Sequence, residues 1–125
     1  MERPLQSVWW MAESFIDEEL AVQLARNDQL VRVIEREGAD LAEPRPIDFF
    51  FYASTRADAV ALAADLASLG FTTTHIADEE QDGQWSVLVA RTDSVAAVTE
   101  EPFVEQLVRV AAKYLAEFDG WGTAV

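Results

Sequence analysis

Ile47-Asp48-Phe49-Phe50-Phe51-Tyr52-Ala53 is the stretch that decides how this chain folds. Its aromatic density and its length suit a strand at the centre of a sheet, with the aromatic block in the core. Just before it, Glu43-Pro44-Arg45-Pro46 sets two prolines one residue apart, which holds the backbone extended and excludes helix. The same aromatic block could stack bases on an open sheet, as in readers of single-stranded RNA, but that use needs a basic rim, which is missing here.

Outward from this strand, the spacing predicts a helix from Arg56 to Leu69, capped by Ser54 or Thr55 and closed by Gly70. Phe71 to Ile76 and Trp85 to Ala90 read as strands joined into a hairpin by the acidic turn Ala77 to Gln84, which carries an Asp-Gly pair. After a turn near Thr92 to Ser94, a last helix is expected from Thr99 to Glu117, with Pro102 in its first turn. Phe103, Leu107, Val110, Ala111, Tyr114 and Phe118 form its inner stripe. A short strand from Trp121 to Val125 follows.

Toward the N-terminus, Leu20, Leu24, Leu30, Val31 and Ile34 predict a helix from Ile16 to Glu37, ended by Gly38. Asp17, Glu18 and Glu19 suit its positive end. Asn27-Asp28 is a weak point at which this helix could split. Leu5 to Ala12 reads as strand or irregular structure. The order is then a βαββαβ series after an N-terminal helix, which folds most simply as an α+β, ferredoxin-like sandwich: an antiparallel four-stranded sheet with two helices on one face. One domain is expected, with residues 1–45 as N-terminal segment and helix and 46–125 as the sandwich core.

Composition narrows the chemistry. The 125 residues hold no cysteine, which removes disulfides, thiolate metal sites and cysteine nucleophiles. Against 23 acidic side chains stand 9 basic ones, a formal charge of -14 that repels phosphate backbones and favours a basic partner. Direct nucleic-acid binding is not expected. No apolar run approaches a membrane span, and Val8-Trp9-Trp10-Met11-Ala12 lacks the pattern of a secretory signal, so the expected location is cytoplasmic, away from membrane.

Candidate sites are few. The turn Asp78 to Gly83 lacks the ligand order of a calcium loop and reads as a solvated hairpin tip. His75 is the single histidine, so imidazole-pair metal sites are excluded, and no serine stands in a nucleophile-elbow context. No catalytic residue, cofactor or metal site is assigned. Trp9 and Trp10, if on a strand, point to opposite faces, so one needs a further cover: the N-terminal helix, a second subunit or another partner.

Phe118-Asp119-Gly120-Trp121-Gly122-Thr123, following Lys113-Tyr114-Leu115-Ala116-Glu117, is the most informative run in the chain. Gly120 and Gly122 suit a helix-to-strand corner that needs positive φ. Trp121 either buries its ring beneath that corner or stays partly exposed as an anchor for a partner, with Asp119 as a second contact. This run resembles the family of regulators of ribonuclease E activity, type B, in which a last helix runs into an aromatic-Asp-Gly-Trp-Gly-Thr segment. The long acidic tail of the best-known members is absent. The resemblance implies the same ferredoxin-like fold and a non-catalytic inhibitor that binds a protein, ribonuclease E or another basic one. The alternatives from other classes are a small ligand-binding domain or enzyme, and a homodimer joined through Val8 to Met11.

Overall fold

The computed structural model describes residues 3–79 and 83–124, with side chains described for residues 13–78 and 83–124. In chain order the elements are α1 (Arg3–Arg36), β1 (Arg45–Ala53), α2 (Arg56–Ser68), β2 (Thr72–Glu79), β3 (Gln84–Asp93), the single turn α3 (Val95–Val98), α4 (Glu101–Lys113) and β4 (Glu117–Thr123).

The sheet order is β2-β3-β1-β4, and every neighbouring pair is antiparallel. That order, with β1 and β3 central, is the ferredoxin-like arrangement, and the expected α+β fold is present. Strict alternation along β1 divides its aromatics. Ile47, Phe49 and Phe51 are fully buried, whereas Phe50 is exposed and Tyr52 half-buried. The aromatic block is therefore not all core, because successive side chains on a strand leave by opposite faces. Facing the buried set are Val87 and Val89 of β3, Leu62 and Leu66 of α2, and Val104 and Leu107 of α4. Phe49 meets Phe71 edge-on at 5.1 Å and Phe103 at 5.9 Å. Arg91 lays its guanidinium against both outer rings, and Asp93 and the Leu69 carbonyl hold it there.

Three of the helices end in one motif. In α1, Gly38 N–H reaches Glu35 O and Ala39 N–H reaches Ile34 O; in α2, Gly70 N–H reaches Ala67 O and Phe71 N–H reaches Leu66 O. In α4, Leu115 N–H reaches Ala112 O and Ala116 N–H reaches Ala111 O. This is the Schellman closure, whose pivot is left-handed: φ is 81° at Gly38, 96° at Gly70 and 54° at Leu115.

Several expectations are corrected. α1 runs unbroken from Arg3, so Leu5 to Ala12 is helix rather than strand, and Asn27-Asp28 does not split it. The last helix stops at Lys113, and Phe118 belongs to β4. The helix-to-strand corner lies at Tyr114 to Ala116, not at Gly120 and Gly122, which sit inside β4. A leucine in glycine's usual place hid the true stop. The tip of the β2–β3 hairpin, residues 80–82, lies outside the described residues.

Candidate functional site

α1 carries a seam that repeats in steps of four and three: Ile16, Leu20, Gln23, Asn27, Leu30, Ile34. Such spacing keeps one narrow stripe of a helix against a neighbour. Its two middle members are amides rather than hydrocarbons, yet Gln23 is 1% exposed and Asn27 6%. Burial of an amide is costly unless its groups are bonded. Each amide meets this demand by half, against β4.

Gln23 Nε2 donates to Phe118 O at 2.9 Å, and Asn27 Oδ1 accepts the indole N–H of Trp121 at 2.8 Å. Between them in sequence, Arg26 donates to Asp119 O at 3.3 Å and stands 3.8 Å from the Asp119 carboxylate. β4 is an edge strand. Its free margin is thus clasped by side chains of α1, one of the ways an unpaired edge is protected.

β4 meets this clasp through a bulge. Phe118 pairs with Phe51 and Trp121 with Phe49, while Gly120 alone opposes Phe50, leaving Asp119 as the extra residue. Residues three apart on a regular strand face opposite ways, and the bulge is what lets Phe118 and Trp121 both enter the core. Gly120 supplies the φ of +121° that the irregularity requires. On the outer side, no side chain rises from Gly120 or Gly122, and Phe50 lies against the latter.

A groove of about 370 Å³ follows from this geometry. Leu30 and Val33 of α1 form one wall, Phe50 of β1 and the Asp119 to Trp121 backbone the other, and Gln23 and Asn27 also line it. Burial raises the Glu19 carboxyl above its ordinary value, and repulsion from Glu117 adds to the rise. Elsewhere α1 is tied to α4 by Arg109, which holds both Glu13 oxygens at 3.0 and 3.1 Å and Glu105 at 2.8 Å. The bond from Arg109 lowers the Glu13 carboxyl below its usual range.

The residues singled out from sequence fall in three places. Asp119 is exposed at the bulge and Trp121 is buried at 7%, so its ring is a core element that reaches the groove only at its margin. Trp9 and Trp10 lie in α1, where neighbours do not take opposite faces as on a strand; their side chains are outside those described. His75 is exposed on β2. Among the described residues no cluster of three His, Asp or Glu is placed to hold a metal ion, and no helix is long and apolar enough to cross a membrane. From sequence, Gln23 is passed over and Asn27 reads only as a weak point of the helix. Two amides inside an otherwise apolar heptad stripe are the signal that would have found them.

Fold and groove together define an α+β domain whose accessory helix is clasped to a sheet edge, with an open apolar cleft at the clasp. Residues 24–123 match the family described as regulator of ribonuclease activity B, and the chain belongs to that family. The matched span includes both sides of the groove, from Arg26 and Asn27 to Trp121. No curated protein matches the chain.

Proposed function

We propose that this protein binds a ribonuclease and regulates its activity without catalysing a reaction itself. The observation that carries this reading is the family match across residues 24–123. Charge supports the kind of partner: at -14, the chain favours a basic protein, ribonuclease E or another, over RNA. On this reading it acts in the cytoplasm, as one domain, with Asp119 and the surface around Phe50 facing the partner.

The test is RNA cleavage by purified ribonuclease E from the same organism, followed with and without an excess of this protein, alongside calorimetric titration of the two proteins. A slowed or altered cleavage pattern and a saturable complex are expected. Unchanged cleavage with no complex at low salt would overturn the assignment. A second reading, a homodimer joined along α1, is favoured by Phe15 and Val22, which are 47% and 44% exposed and one heptad apart. Light scattering at increasing concentration checks it, and a constant monomer mass excludes it.

A further inference from the structure

Gln23 and Asn27 each have one half of their amide committed and the other half unpaired. Gln23 Oε1 and Asn27 Nδ2 are buried and find no hydrogen-bond partner among the described residues. Their orientation is fixed by chemistry. An indole N–H can only donate, so Asn27 must turn its oxygen to Trp121; a carbonyl can only accept, so Gln23 must turn its nitrogen to Phe118. Rotating either amide would set donor against donor or acceptor against acceptor. What remains is one acceptor and one donor, a helical turn apart, on side chains that line the same groove.

That pair has the complement of a peptide. The N–H and C=O of one residue in an extended chain point to the same side, and an antiparallel partner normally takes both. Both atoms are covered in the free protein, so a peptide reaches them only once the groove's margin opens; uncovered, the two amides offer what a strand edge would offer, beside β4, whose own margin they cover. Leu30, Val33 and Phe50 supply apolar walls for one side chain. The surroundings select charge: Asp119 lines the groove, within a chain of net charge -14. Among the described residues Arg26 is the one cation lining the groove, and its contacts to Asp119 are long and exposed, so it moves aside at little cost.

We infer that the groove between α1 and β4 binds an extended, basic peptide segment of a partner protein. In this complex Gln23 Oε1 accepts from, and Asn27 Nδ2 donates to, the backbone of one residue, while Leu30, Val33 and Phe50 hold an apolar side chain. The inference deepens the protein-binding reading above and rests on it only in taking the ligand to be a protein. A single trapped water joining the two amides is the competing occupant.

The full chain, labelled with nitrogen-15, is tested against a phage-displayed library of linear nine-residue peptides. Selection is expected to enrich an aliphatic or aromatic residue flanked by Lys or Arg. A synthetic peptide of that sequence should shift the Trp121 indole N–H and the Gln23 and Asn27 side-chain amide signals. N-methylating the peptide backbone at the anchor residue should weaken binding about tenfold or more, because it removes the donor to Gln23. Val33→Asp, at an exposed wall position outside the core, should weaken it similarly while leaving the unfolding midpoint unchanged. Failure of the library to enrich any family, shifts confined to other residues, or full affinity after N-methylation at each position in turn would overturn the inference. So would a crystal structure with one water bridging the amides in a groove that takes no peptide. Ribonuclease regulation that persists without peptide binding, and is indifferent to Val33→Asp, removes this inference alone. Peptide binding without any effect on ribonuclease removes the functional reading and leaves this one standing.

Discussion

Leu115 occupies the left-handed pivot that Gly38 and Gly70 fill at the ends of the other two long helices. A branched side chain there costs roughly 1–2 kcal/mol over glycine in the folded state, partly offset by the greater freedom of glycine in the unfolded one. The leucine is 82% exposed, so little packing is lost on removing it. Leu115→Gly is therefore expected to raise stability by up to about 1 kcal/mol in urea unfolding. The glycines of β4 separate by the same logic. Gly120→Ala puts a side chain at φ +121° and should cost about 1–3 kcal/mol. At Gly122 an added methyl meets only Phe50 at an ordinary 3.8 Å, so Gly122→Ala should stay within about 0.5 kcal/mol. Equal losses for the two would contradict the bulge as described. From sequence these glycines read as a corner because glycine is the usual residue at a helix stop, and Leu115 breaks that pattern.

At the scale of elements, α2 and α4 are pinned together by Asp65, whose Oδ2 accepts from Lys113 Nζ and from Tyr114 OH, both at 2.8 Å. The Lys113 bond first, and Tyr114 next, hold the Asp65 carboxyl below its ordinary value, while Asp65 raises both partners. A depressed carboxyl stabilises the fold above its unfolded pKa, and that contribution disappears as pH falls through the folded value. Raised Lys and Tyr groups contribute fully below their unfolded pKa values and lose that contribution as pH rises through the folded ones. The stability difference between the parent chain and Asp65→Asn should then be flat across neutral pH and shrink at both extremes, measured by unfolding at a series of pH values. A difference that grows in acid would overturn the assignment. Helix α2, with its Thr55 cap, and the β2–β3 hairpin were legible because their signals are local: a hydroxyl before an apolar run, a strand pair around an Asp-Gly turn. α1 was legible only from Ile16 onward. Val8 to Ala12 is an unbroken apolar run without helical period, and Asn27 reads as a helix breaker until Trp121 is seen to bond it.

For the whole molecule, the fold followed from the order of elements because an antiparallel four-stranded sheet with two crossing helices has few right-handed solutions. The groove did not follow. It joins side chains from α1, β1 and β4, and neither periodicity nor local turn chemistry states which helix turn meets which edge. The net charge of -14, by contrast, is legible from composition alone and has a direct consequence for association. Long-range attraction to a basic partner is screened over about 10 Å at 0.1 M salt, so, on the proposed function, the affinity for ribonuclease should fall steadily as salt rises from 0.05 to about 0.5 M. Calorimetric titration across that series checks it, and an affinity independent of salt would assign binding to the apolar walls alone.

The clasp between α1 and β4 also sets a clock. Its bonds join residues 95 and 94 positions apart, so during synthesis α1 leaves the ribosome long before the strand that engages its amides exists. At about 5–20 residues per second the helix waits roughly 5–20 seconds with its seam unpaired, open to chaperones or to a neighbouring nascent chain. Only when Trp121 arrives does the groove come into being, so it forms in one step, after both of its walls have been made.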